Sequence, residues 1–260
     1  MYPTLLEVAG FPIHTYGVLI AIGFVLCVFV AKREAQRTGL QAEKIVDAGF
    51  WSLFVGMIGA RLLYVITRWD YFRLVPLESF YVWEGGLVFY GGPLFVIPFF
   101  FWYARRHQIP IFKLMDIGAI SLPLAHAFGR LGCLSTGCCY GRPTNSTWGI
   151  KLHSELVEPY LRGVNLHPTQ LYESAALFCL TAILFVQHRK KSFDGQTASL
   201  YLIIYPVIRF IVETFRGDTV RGFVFGGALS TSQFISIWIL FSGILSYVYF
   251  RSRSLKKAVA

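Results

Sequence analysis

Charge is scarce in this sequence. Asp, Glu, Lys and Arg make up only 15% of the 260 residues, against about 25% in ordinary soluble domains, and the acidic ones are scarcer still, 14 against 24 basic. A water-facing surface cannot be built from so little charge, which excludes the soluble globular classes. Polar stretches long enough for a separate soluble domain are also lacking. No basic stretch or small-residue cleavage site marks the first apolar run, which is preceded by Tyr2, Thr4 and His14, so it is expected to stay as a helix rather than leave as a signal peptide. Internal repeats between the two halves are missing too, which weighs against the transporter architectures built on them.

Hydrophobic residues fill the gap. They account for 55% of the chain, aromatics for 17%, and the mean hydropathy is +0.55. A hydrocarbon core of about 30 Å needs roughly 20 apolar residues per helix, and seven runs approach that length: about 15–31, 47–67, 86–104, 114–132, 170–187, 197–215 and 232–250. The expected fold is therefore an all-α polytopic membrane protein with seven transmembrane helices. It forms a single transmembrane domain over 1–260, with a small head segment inserted at 133–168.

The net charge of +10 does not point to nucleic acid, because the basic residues sit in short clusters beside the apolar runs, as membrane-orienting charges do. One set of loops holds Lys32, Arg33, Arg37, Lys44, Arg105, Arg106, Lys113, Arg189, Lys190, Lys191, Arg251, Arg253, Lys256 and Lys257. The alternate set holds half as many: Arg68, Arg73, Arg142, Lys151, Arg162, Arg216 and Arg221. The positive-inside rule then places the carboxyl end in the cytoplasm and the amino end and head outside.

Three arginines belong to neither set: Arg61, Arg130 and Arg209 lie within apolar runs or at their ends. A snorkelling helix-end arginine is the bland explanation for any one of them. For all three it is strained, because an arginine at membrane depth requires a partner or a wet cavity. Glu173, Glu213 and Asp116 are the available counter-charges, and Glu213 follows Arg209 by one helical turn. Cations without full compensation point to an anionic ligand. In a membrane the abundant anion is a lipid phosphate, which suits the guanidinium fork.

Glycine and aromatic motifs surround these arginines. His14-Thr15-Tyr16-Gly17 opens the first run, and Gly56, Gly59 and Ala60 give the second a small-residue face for close helix approach. Two Gly-Gly pairs, at 85–86 and 91–92, bracket Tyr90 and predict an unwound start to the third run. Gly129-Arg130-Leu131-Gly132-Cys133 leads into a loop whose exposed backbone N–H groups suit an anion. His167-Pro168-Thr169-Gln170 starts the fifth run. Tyr205, Arg209, Glu213 and Arg216 share one stripe of the sixth, expected to face the bundle.

These stretches, taken in order, resemble the prolipoprotein diacylglyceryl transferase family: HTYG at 14–17, GARLLYV at 59–65, WEGGLVFYGG at 83–92, GRLG at 129–132, HPTQLYE at 167–173 and YPVIRFIVETFR at 205–216. The resemblance implies a multi-pass protein of the bacterial inner membrane. It would move the diacylglyceryl group of phosphatidylglycerol onto the lipobox cysteine of a preprolipoprotein signal peptide, releasing glycerol 1-phosphate, with no cofactor. It also implies catalytic roles for Arg130, Arg209 and Tyr90, and a substrate-binding lining of Tyr16, His14, Arg61, Gly132, Tyr205, Glu213, His167 and Gln170. Tyr90 stands where many members have histidine, and Cys133 where they have asparagine. These departures leave room for a divergent lipid transferase with another donor or acceptor, or for a non-catalytic relative.

Of the five cysteines, Cys27 and Cys179 sit in apolar runs as small hydrophobes. Cys133, Cys138 and Cys139 cluster where an oxidising compartment permits a disulfide, and a pairing of Cys133 with Cys138 or Cys139 is expected there. No metal site is assigned, because zinc would need a fourth ligand, for which only His126, His153 or His167 offer themselves.

Overall fold

A computed structural model describes residues 4–8, 11–218 and 222–259; Arg221, one of the loop cations above, lies outside them. Among these residues the chain is mainly helical. A short antiparallel hairpin, β1 (Thr4–Val8) and β2 (Phe11–His14), leads directly into α1 (Thr15–Arg37), followed by α2 (Ala42–Thr67), the single turn α3 (Trp69–Phe72), α4 (Gly91–Arg106) and α5 (Ile111–Thr136). Two-residue strands β3 (Ile150–Lys151) and β4 (Asn165–Leu166) pair in the next segment. Then come α6 (Thr169–Arg189), α7 (Gln196–Thr214), the small ladder β5 (Phe223–Val224) and β6 (Leu229–Ser230), and α8 (Thr231–Val259).

Six of the described helices, α1, α2, α5, α6, α7 and α8, are long and apolar enough to cross a membrane. The third apolar run becomes a shorter helix than its composition predicts. It starts at Gly91 rather than 86 and has 16 residues. Gly85 and Gly86 hold left-handed backbone, φ 87° and 71°, so the unwound start expected from the glycine pairs is present and removes a turn from the helix.

The chain forms two compact units, Met1–Val30 with Met115–Ala260 and Ala31–Leu114. In the smaller unit α2 packs on α4, and the small-residue face is the reason it can. A Cβ at Gly59 would lie 2.5 Å from the Gly91 carbonyl oxygen, and one at Gly56 would lie 3.2 Å from Val96. The backbones themselves touch there, as small residues allow in membranes.

In the larger unit α7 packs between α6 and α8. Leu177, Leu180 and Leu184 of α6 are buried with Ala127 of α5 against Leu200, Ile204 and Ile208 of α7. Asp116 of α5, fully buried, holds the start of α7: its Oδ2 accepts from Gly195 N at 2.9 Å and Lys191 Nζ at 2.7 Å, and its Oδ1 accepts from Ala198 N at 2.9 Å. Burial works against the Lys191 ammonium, but its hydrogen bonds to Asp116 and Asp194 outweigh this and raise its pKa. Asp116, one of the expected counter-charges for the deep arginines, thus serves a helix terminus instead.

The segment between α5 and α6 has its own small core, Tyr140, Leu152, Val157, Leu161 and Leu166. It begins after Thr136 rather than at 133, because α5 runs on through Cys133.

Candidate active site

The centre of the larger unit is one carboxylate shared by two guanidiniums. Glu173, in the second turn of α6, is 1% exposed. Its Oε1 lies 3.0 Å from Arg130 Nη2 of α5, and its Oε2 lies 3.1 Å from Arg209 Nη1 of α7. The other terminal nitrogen of Arg209 reaches Glu213 Oε2 at 2.6 Å, one turn along α7 as the spacing predicts, and donates to Ser232 Oγ of α8 at 3.0 Å. Four helices thus meet through a single polar cluster, and each buried charge has a partner, which is what burial of charge demands.

The expectation of under-compensated cations needs correcting for Arg209, which is held by two carboxylates. Glu173, which pairs with both Arg130 and Arg209, is the member of the cluster that the sequence did not single out as a site residue. It stood among the possible counter-charges and inside the HPTQLYE stretch, but no helical spacing ties a residue on α6 to arginines on α5 and α7. Arg130 remains different. Its Nε is buried without a hydrogen-bond partner. An unmet buried donor costs about 1–3 kcal/mol, so an anionic oxygen delivered there is favoured.

Aromatic groups line the cluster. Tyr205 stacks on Tyr201, with centroids 5.4 Å apart, and meets the His126 ring edge-on at 5.6 Å. His126 Nε2 is 3.8 Å from Glu173 Oε1. Tyr16, at the start of α1, lies against Gly132: a Cβ there would fall 2.8 Å from the Tyr16 ring. Tyr16, Gly132, Arg130, Tyr205, Arg209 and Glu213 all lie in the larger unit, and Glu173 joins them.

Other expected contacts are placed differently. Arg61 in the smaller unit spends its guanidinium on backbone: Nε donates to Ser79 O at 2.9 Å, Nη2 to Glu78 O at 2.5 Å, and Nη1 to Gly85 O at 2.6 Å and Gly86 O at 3.2 Å. A guanidinium so occupied holds the Gly85-Gly86 turn, with little left for a lipid headgroup. Gln170, 1% exposed, donates to Cys138 O at 2.7 Å, and Thr169 Oγ1 donates to Cys139 O at 2.8 Å. His167 packs on Tyr172 and Phe215, its Nδ1 3.2 Å from the Tyr172 hydroxyl. Gln170 and Thr169 brace the loop after α5. His14 is exposed at the end of β2. Tyr90, half exposed, precedes α4 in the smaller unit, its ring edge-on to Phe89.

The disulfide expected among Cys133, Cys138 and Cys139 is not formed; all three thiols are free. Arg216, after α7, is held by Asp218 through Nε–Oδ1 at 2.8 Å and Nη2–Oδ2 at 2.5 Å. Burial works against its charge, but the Asp218 bonds outweigh it and keep the guanidinium protonated.

Apolar helices around a buried cluster of arginines and carboxylates define a multi-pass membrane protein with a charged centre. Comparison with known proteins sharpens this. The sequence profile of the family described as prolipoprotein diacylglyceryl transferase matches residues 3–249, and the chain belongs to that family. A relative from Clostridium perfringens, phosphatidylglycerol–prolipoprotein diacylglyceryl transferase 2, is 36% identical over 93% of this chain and 92% of its own. Proteins of the same activity name from Finegoldia magna and Clostridium tetani are 33% and 35% identical, covering 96% and 95% of this chain and 96% and 97% of theirs.

Proposed function

We propose that this chain transfers the diacylglyceryl group of phosphatidylglycerol to the cysteine thiol of a prolipoprotein lipobox, releasing glycerol 1-phosphate. Family membership over nearly the whole chain supports the reaction. The observation in the site that carries it is Arg130, paired on one side with Glu173 and offering a buried, unpartnered Nε on the other.

In this reading Arg130 binds the lipid phosphate, and Arg209, fixed by Glu173, Glu213 and Ser232, supplies positive potential behind it. As the carbon–oxygen bond to phosphate breaks, negative charge grows on the leaving oxygen. Donors already oriented in a low-dielectric site stabilise that charge without reorganising. Tyr16 and Tyr205 line the lipid's path, with Gly132 leaving room for the Tyr16 ring. Tyr90 is proposed at the acceptor side, where its hydroxyl positions the incoming thiol.

We place the protein in the bacterial inner membrane with seven spans, α4 as the shortest, the amino end and the 137–168 segment outside and the carboxyl end in the cytoplasm. The distribution of basic residues supports this.

The test is transfer of labelled diacylglycerol from phosphatidylglycerol to a lipobox peptide in nanodiscs. The wild type should label the cysteine peptide but not a serine peptide, and Arg130→Ala should lose about 100-fold or more. A folded wild type that labels nothing would sink the proposal and point to another lipid donor or acceptor.

A further inference from the structure

Beside the guanidinium cluster the structure gathers three thiols. Cys133 lies in the last turn of α5, and Cys138 and Cys139 in the turn that follows; their Sγ atoms all lie within 4.8 Å of one another, part-buried and free. The turn is firmly held. Cys138 N donates to Cys133 O at 3.1 Å, Thr136 Oγ1 donates to Cys138 Sγ at 3.4 Å, and Gln170 and Thr169 fasten the Cys138 and Cys139 carbonyls.

A disulfide would use two of these sulfurs and leave the third unexplained. A metal centre uses all three. Tetrahedral zinc with Zn–S of about 2.3 Å sets its sulfurs about 3.8 Å apart, so a contraction of about 1 Å or less closes the site. Three thiolates around a divalent cation carry one net negative charge, and both Arg130 and Arg216 are within electrostatic reach of Cys139. Among the described residues no histidine or carboxylate joins the group. Three protein ligands and one open position are the pattern of a reactive rather than a structural zinc site.

We propose that Cys133, Cys138 and Cys139 bind one divalent cation of the zinc class, and that its fourth position takes the acceptor thiol of the prolipoprotein next to Arg130. This role rests on the transferase reading above. A thiol bound to such a cation is deprotonated outright, its proton passing to solvent, so no strong side-chain base is needed. The thiolate's electron pair then forms the S–C bond to the diacylglyceryl carbon. The C–O bond to phosphate breaks with its pair on the phosphate oxygen, and glycerol phosphate leaves. The cation keeps its oxidation state throughout. Arg130 precedes Cys133 by one helical turn, so acceptor and leaving group are handled from the same end of α5.

The test is a Co²⁺ titration of the reduced full-length protein in detergent, followed by addition of a lipobox peptide with cysteine or with serine. One Co²⁺ per chain should bind with thiolate-to-cobalt charge-transfer absorption. The cysteine peptide should increase that absorption and the serine peptide should not. Cys139→Ser should weaken binding at least 100-fold, while Cys27→Ser should leave it unchanged. Absence of the band in reduced wild type, a band indifferent to the cysteine peptide, or a native disulfide that removes two of the five thiols from titration each overturns the proposal. Transfer by chelator-stripped protein separates this inference from the reading beneath it. Full-rate transfer without metal removes the cation's role and leaves the transferase standing, whereas no transfer with or without metal removes both.

Discussion

Glu173 is the residue on which the site turns. Two arginines from different helices share it, so removing its charge leaves two buried cations with one remaining carboxylate, Glu213, on Arg209 alone. Breaking a buried pair by removing one partner costs about 3–5 kcal/mol. Glu173→Gln should therefore lower the thermal midpoint of the purified protein markedly, while Glu213→Gln, which leaves Arg209 its Glu173 contact, should lower it much less. Equal midpoints for the two variants in a detergent melt would show that Glu173 does not organise the cluster. Arg61 makes the opposite case. Its donors go to four carbonyls around the Gly85-Gly86 turn, so Arg61→Met should make that turn more open to proteolysis and hydrogen exchange, while a lysine, with no planar fork, should restore little.

At the scale of elements, helix contacts depend on places where backbone meets backbone or a terminus is held. The α2–α4 contact runs through Gly59 and Gly91. Gly59→Val should separate the two helices at a cost of about 1–3 kcal/mol, readable as lost expression and a lower midpoint, whereas Gly17→Ala, where an added Cβ meets nothing within 4 Å, should be neutral. The start of α7 depends on Asp116 accepting two backbone N–H groups and Lys191. Asp116→Asn keeps the shape but not the charge, and should destabilise the start of α7 by about 1–3 kcal/mol, with faster exchange at the Gly195 and Ala198 amides as the local signature.

For the whole molecule, sidedness is the property that membrane insertion decides. Trp148, 78% exposed in the segment after α5, and Lys190, exposed after α6, should fall on opposite faces. A cysteine introduced at Trp148 should react with an impermeant maleimide in intact cells, and one introduced at Lys190 only after permeabilisation. The reverse pattern would invert the orientation.

Much of this was legible from the chain alone. Apolar length marked the membrane helices, because hydrocarbon demands about 20 apolar residues whatever the fold. One-turn spacing paired Arg209 with Glu213, since i and i+4 meet on any helix, and the glycine pairs foretold the unwound start of α4. Partnerships between distant segments were not legible. That Glu173 joins Arg130 to Arg209, that Arg61 serves a turn, that Gln170 and Thr169 hold the cysteine loop, and that Cys133, Cys138 and Cys139 converge as free thiols all depend on which helix faces lie together. Periodicity says what each helix must hide, and lipid, being as apolar as the helices themselves, does not say from which neighbour. Only side-chain packing and the pairing of buried charge in the folded chain decide that.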